Sequence, residues 1–169
     1  MAEIGQDIVK NYLEGLGFEV RKILEGDEKT PDFEVFFKDK LIFYCEEKTV
    51  DDFDFEGERN DPTYDSMSAR IRKAVKQLKS INPSREVPNV LALVNMDESK
   101  NAHDLIITLT GRAPLDNGEY LSIHKVGRLR KDLGEIDLYL WFEKGELVSK
   151  VWGEINEEYN KHLKELFQH

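Results

Sequence analysis

One cysteine, Cys45, in 169 residues leaves no partner for an internal disulfide and no material for a Cys-rich zinc site, which fits a reducing compartment and a small core residue. Prolines number only 5, and with 40% hydrophobic and 34% charged residues the chain does not read as disordered. No apolar run approaches the roughly 18 residues of a membrane helix. The opening MAEIGQDIVKNYLEG is polar where a secretory signal needs a basic start and an apolar stretch. The expectation is a cytoplasmic protein with no membrane association. Basic residues are also scarce, 24 against 34 acidic, for a formal net charge of -10. That excludes a protein that coats nucleic acid indiscriminately, because such affinity comes from Lys and Arg neutralising phosphates.

The charge that is present is segregated. Residues 49–65, TVDDFDFEGERNDPTYD, carry seven acidic side chains and one basic; residues 66–85, SMSARIRKAVKQLKSINPSR, carry six basic and none acidic. A second basic stretch, HKVGRLRK, spans residues 124–131. Local basic patches on an acidic body are compatible with nucleic acid bound at one place. The length suits a single domain, 1–169, able to bury about 70% of its unfolded surface. No repeat or linker divides it.

Periodicity orders the elements. Ile4, Ile8, Tyr12 and Leu16 recur every fourth residue, with Val9 and Leu13 widening the stripe, and predict a helix from about Glu3 to Leu16 that Gly17 stops. FEVRKIL (18–24), PDFEVFF (31–37) and KLIFYCEEK (40–48) read as strands. The last two are separated by Lys38 and Asp39, the spacing of a hairpin, although Lys-Asp is not the favoured turn pair. Ile71, Ala74, Val75 and Leu78 mark a helix from about Ser66 to Ile81, and PNVLALVN (88–95) is a strand buried on both faces. Asp104 to Leu109, YLSIHKV (120–126), EIDLYLWFE (135–143) and LVSKVW (147–152) read as further strands, with a turn in APLDNGE. A last helix, Glu154 to Phe167, should pack on the sheet.

The strand KLIFYCEEK raises a question: an apolar run ends in Glu46, Glu47 and Lys48. Side chains alternate across a strand, so Glu46 and Lys48 face one way while Cys45 and Glu47 face the other. Asp32, at the start of the neighbouring strand, should lie about 5–8 Å from Glu46 across the hairpin. Carboxylates that close repel, and at least one pKa rises unless a cation lies between them. A hard cation such as Mg²⁺ suits the pair, since it takes one or two carboxylates and keeps positions for water and phosphate oxygens.

Pro31-Asp32 followed, fourteen residues after the aspartate, by Glu46-Glu47-Lys48 resembles the PD-(D/E)XK nuclease superfamily. The order helix, three strands, helix, strand over residues 3–95 agrees with that superfamily's core. The resemblance implies an α/β fold with a restriction endonuclease-like core, a mixed central sheet flanked by helices. It implies that Asp32 and Glu46 hold Mg²⁺ (or Mn²⁺), joined by the carbonyl of Glu47. Lys48 would orient or activate the attacking water and stabilise charge on the phosphate. The second helix often contributes as well: Gln77 and Arg70, on one flank, are candidates for the phosphate or the water, and Arg72, Lys76 and Lys79 form a basic ridge for more remote phosphates. The first helix often supplies an acid. Here Asp7 or Gln6 occupies that neighbourhood, and a Gln cannot replace a carboxylate as ligand at equal strength.

Other motifs carry little. His103, His124, His162 and His169 are dispersed without paired ligand spacing. GRAPLDNGE lacks the lysine and helix of a phosphate loop, and there is no Gly-x-Ser-x-Gly elbow. The expected activity is therefore metal-dependent hydrolysis of nucleic-acid phosphodiesters, with DNA the expected substrate and a homodimer or protein partner compatible with it. The alternative is a non-catalytic binding or regulatory subunit of the same fold, which the acidic net charge favours. The acidic segment after the motif strand should be an exposed loop bordering the site.

Overall fold

The structure, a computed structural model, describes residues 2–51, 62–122 and 132–168. Helix α1 (Ala2–Gly15) turns Val9 and Leu13 inward to 0% exposure, and Gly17, at φ 93°, lets the chain reverse into the sheet. Strands β1 (Glu19–Lys22), β2 (Phe33–Phe37) and β3 (Lys40–Val50) form an antiparallel meander. Between β2 and β3, Lys38 and Asp39 take φ of 50° and 63°. Two positive φ angles give a turn whose twist matches the strands, a geometry that Asn-Gly adopts more readily.

Helix α2 (Pro62–Ile81) then crosses to β4 (Asn89–Asn95), which runs parallel to β3 and is buried at all seven positions. The helix begins four residues earlier than the periodicity of its apolar face indicates, because Pro62 is well suited to a first helical turn, where its missing N–H costs no hydrogen bond. After a short 3-10 turn at Leu133–Glu135, strand β7 (Leu138–Glu143) adds in parallel beside β4, and β8 (Glu146–Trp152) closes that edge antiparallel. The result is a mixed six-stranded sheet in the order β1-β2-β3-β4-β7-β8.

Helices cover both faces. On one, α1 and α4 (Glu157–Leu166) pack Val9, Leu13, Leu163 and the following Phe167 against Phe33, Phe43, Val90 and Leu140. The C-terminal helix thus packs on its own sheet. On the other face, α2 sets Met67, Ile71, Val75 and Leu78 over Leu91, Leu93, Tyr139 and Trp141. Cys45 is a fully buried free thiol, its pKa pushed up by burial. Among the described residues no helix is long and apolar enough to cross a membrane.

The segment from Asp104 to Leu109, expected as a strand, is helix α3 (Ala102–Thr110). Its β-branched residues suggested extension, but the ends decide. Asn101 Oδ1 accepts from His103 N at 2.9 Å, Asp104 Oδ2 accepts from Asn101 N at 2.8 Å, and Gly111 closes the helix at φ 70° with its N–H on Ile107 O. The expected strand 120–126 is described only as β6 (Tyr120–Ser122), paired with β5 (Arg112–Pro114) around the predicted turn. Its remainder, with HKVGRLRK, lies outside the described residues, as do residues 52–61 of the acidic segment. Asn101→Ala removes the cap and should lower unfolding free energy by about 1 kcal/mol in urea titrations. An unchanged midpoint would mean that tertiary packing alone holds α3.

Candidate active site

The register of the sheet decides which charged groups meet. Glu46 and Lys48 pair with Leu91 and Leu93, whose side chains lie under α2, so both face that helix. Cys45, Glu47 and Thr49 pair with Val90, Ala92 and Val94 and face α1. Phe33 pairs with Cys45, which puts Asp32, one residue out, beside Glu46. The contact is direct: Asp32 N donates to Glu46 Oε2 at 3.0 Å, and Glu47 N donates to Asp32 Oδ2 at 2.8 Å. The Glu46 side chain is 1% exposed and that of Lys48 19%.

Lys48 Nζ donates to Glu46 Oε1 and, at 2.6 Å, to Gln77 Oε1 on α2. Gln77 Nε2 donates in turn to Thr30 O at 3.1 Å, so both ends of this amide are engaged. From α1, Gln6 Nε2 donates to Asp32 Oδ1 at 2.8 Å, while Asp7 is exposed. Of the two candidates on that helix, Gln6 is the one that touches the motif. Glu47 turns away beneath α1, accepting from Thr49 Oγ1 at 2.7 Å. A Cβ on Gly5 would lie 2.3 Å from Glu47 Oε1 and 2.7 Å from Thr49 Oγ1. Glycine is what lets α1 lie close enough for Gln6 to reach Asp32.

Burial dominates the electrostatics. It pushes the Glu46 carboxyl up to about 8, with the Asp32 charge adding and Lys48 opposing. Asp32 is raised as well, chiefly by burial, against the lowering effect of the Glu47 N–H and Lys48. Glu47 is pushed up to about 7 by burial, with the Thr49 hydrogen bond opposing. Two adjacent carboxylates thus share one ammonium and remain short of positive charge. This donor set fits a hard divalent cation: two carboxylates, spare lone pairs on each and a nearby main-chain carbonyl. Among the described residues no group of three or more His, Cys, Asp or Glu side chains could hold a metal ion, so side chains alone give the pair of carboxylates and no third ligand. His103 and His162 are exposed and apart from the site; His124 and His169 lie outside the described residues.

Outside Lys48 the site opens into a cleft of about 470 Å³ between α2 and the loop that joins β1 to β2. Lys73, Lys76 and Gln77 line the helix side; Glu25, Glu28 and Lys29 line the loop side. Ser80 Oγ donates to Lys29 O at 2.9 Å and ties the base of the loop to the helix. The basic ridge therefore divides differently from the helical wheel. Lys76 faces the cleft, Lys79 instead pairs with Glu135 at 3.4 Å, and Arg72 is exposed outside the cleft. Arg70 is not a surface contact but 7% exposed, with Nε donating to Thr49 O at 2.8 Å and NH2 3.2 Å from Asp51 Oδ1, where it anchors the end of β3. Lys73 and Lys29 were not among the residues expected here; Lys73 could have been found as the residue one helical turn before Gln77, whereas Lys29 sits in an aperiodic loop that gave no such signal.

No protein-family model, no curated protein and no solved structure matches this chain. The site stands on its own geometry.

With no cation bound, the folded state holds more protons than the unfolded state between pH 4.5, the ordinary carboxyl value, and about 8. Stability should therefore decline as pH rises through that window and level off above it. Thermal melting of the metal-free protein should show this slope, and Glu46→Gln should flatten much of it. A melting temperature that climbs with pH, or an unaltered slope in the variant, would contradict the charge deficit.

Proposed function

We propose that the chain is a metal-dependent nuclease with a restriction endonuclease-like core, hydrolysing phosphodiester bonds of nucleic acid, with DNA as the substrate. The observation that carries the reading is the meeting of Asp32, Glu46 and Lys48 at one point, where the lysine faces a cleft lined by further lysines. The sheet order and the helices on both faces agree with that core. Asp32 and Glu46, with the Glu47 carbonyl, would hold Mg²⁺ or Mn²⁺, which when bound supplies an acidified water and neutralises phosphate charge.

The remaining roles fall to the chain's own groups. Lys48 presents its ammonium to the phosphate and orients the water against it. Gln77 acts through Lys48: its carbonyl fixes the ammonium while its amide is held by Thr30 O. Gln6 and the Glu47 N–H hold the Asp32 carboxylate from two directions, which limits rotation of its plane. Arg70 has a structural part, tying the end of β3 to α2, and Lys76 meets phosphates further along the strand.

The net charge of -10 favours the second reading, a nuclease-fold subunit that binds without cleaving. Metal-dependent degradation of mixed DNA and RNA separates the two. The wild type should cleave with Mg²⁺ or Mn²⁺, and Lys48→Ala should lower the rate by about 10²–10⁴-fold while Mg²⁺ affinity stays level or rises, because a neighbouring cation opposes metal binding. A wild type that binds nucleic acid and cleaves none with either cation would support the second reading.

A further inference from the structure

The two walls of the cleft differ in charge: the charged groups of the α2 wall are all cations, and the loop wall carries two carboxylates and one lysine. On α2, Lys73 and Lys76 are exposed toward it; on the loop between β1 and β2, Glu25 and Glu28 are exposed toward it. Lys29 also lines the loop side, at its base, where its main-chain carbonyl accepts from Ser80 Oγ on α2 and its side chain is exposed. A single nucleic-acid strand has the same asymmetry, with phosphates along one side and bases along the other. Laid with its backbone on α2, it would place consecutive phosphates at Lys48 and at the two helix lysines. Its base edges would then meet carboxylates that accept hydrogen bonds from amino groups such as cytosine N4 or adenine N6.

A duplex meets this cleft differently. It presents phosphates toward both walls, and the glutamate wall would repel the second backbone. Resting on the nuclease reading of Lys48, we propose that the substrate is a single-stranded or unpaired segment, held by Lys73 and Lys76 through its phosphates and faced by Glu25 and Glu28 on its base side.

Binding without chemistry tests this separately from cleavage. Fluorescence anisotropy in EDTA would compare a labelled oligonucleotide with the same strand in a perfect duplex, across a salt series. The wild type should bind the single strand at least about tenfold more tightly, and Lys73→Ala with Lys76→Ala should reduce the salt slope by about 1.4, the value for two lost single-strand phosphate contacts. Glu25→Gln with Glu28→Gln should raise duplex affinity more than single-strand affinity and narrow the gap. All four side chains are exposed, so circular dichroism should show the fold retained. Equal or tighter duplex binding by the wild type, a glutamate variant that shifts both forms alike, or no binding to either form would overturn the proposal. Cleavage with a duplex preference would leave the hydrolase reading standing while removing this one. A single-strand preference in binding, with no cleavage under any divalent cation, would do the reverse.

Discussion

Two carboxylates side by side at the end of a buried strand pair cost free energy unless positive charge or hydrogen-bond donors surround them, and the architecture around Asp32 and Glu46 supplies donors from every direction. β3 gives the Glu47 N–H and Lys48, the residue just before β2 gives the Asp32 N–H, and α1 gives Gln6. They come from three parts of the chain, and Gln77 on α2 holds Lys48 in turn, so the site exists only when the sheet register and both flanking helices are in place. Donors alone do not remove the deficit. The Glu46 carboxyl stays near 8 because burial outweighs the single ammonium beside it.

That requirement reaches into the packing. Glycine at position 5 is needed because α1 lies directly over Glu47 and Thr49. Gln77 is bound at both ends because it couples Lys48 on the sheet to Thr30 in the loop. Arg70, one of six basic residues in a stretch without acids, is buried to hold the strand that carries the motif. The positive charge of α2 is thus shared among structure, site and cleft, which is how a chain of net charge -10 can concentrate cations at one place.

The core of this arrangement was legible in the residues. A two-residue spacing between apolar runs located the β2–β3 hairpin, and strand alternation put Glu46 and Lys48 on one face and turned Glu47 away. The meeting of Asp32 with Glu46 depends further on a β-bulge at Val35/Phe36, which shifts the register by one so that Phe33 pairs with Cys45 and which nothing in the residues announced. What failed was whatever depends on element ends or on tertiary reach. The β-branched residues Ile106, Ile107 and Thr108 suggested a strand, while the signals that make α3 a helix lie in Asn101, Asp104 and Gly111 at its ends. Arg70 and Gln77 share one helical flank, and nothing local distinguishes the one that reaches the end of β3 from the one that reaches Lys48. Lys29 enters the cleft only because Ser80 and Gln77 fasten its loop to α2.

On the proposed reading a divalent cation completes the Asp32–Glu46 pair. Isothermal titration with Mn²⁺ near neutral pH, repeated in buffers of different ionisation enthalpy, measures both binding and proton release. One Mn²⁺ should bind with release of a proton from the pair, since the Glu46 carboxyl is raised to about 8 in its absence, and Asp32→Asn should abolish the binding. Heat that is independent of buffer, or equal Mn²⁺ binding by the Asp32→Asn variant, would contradict it.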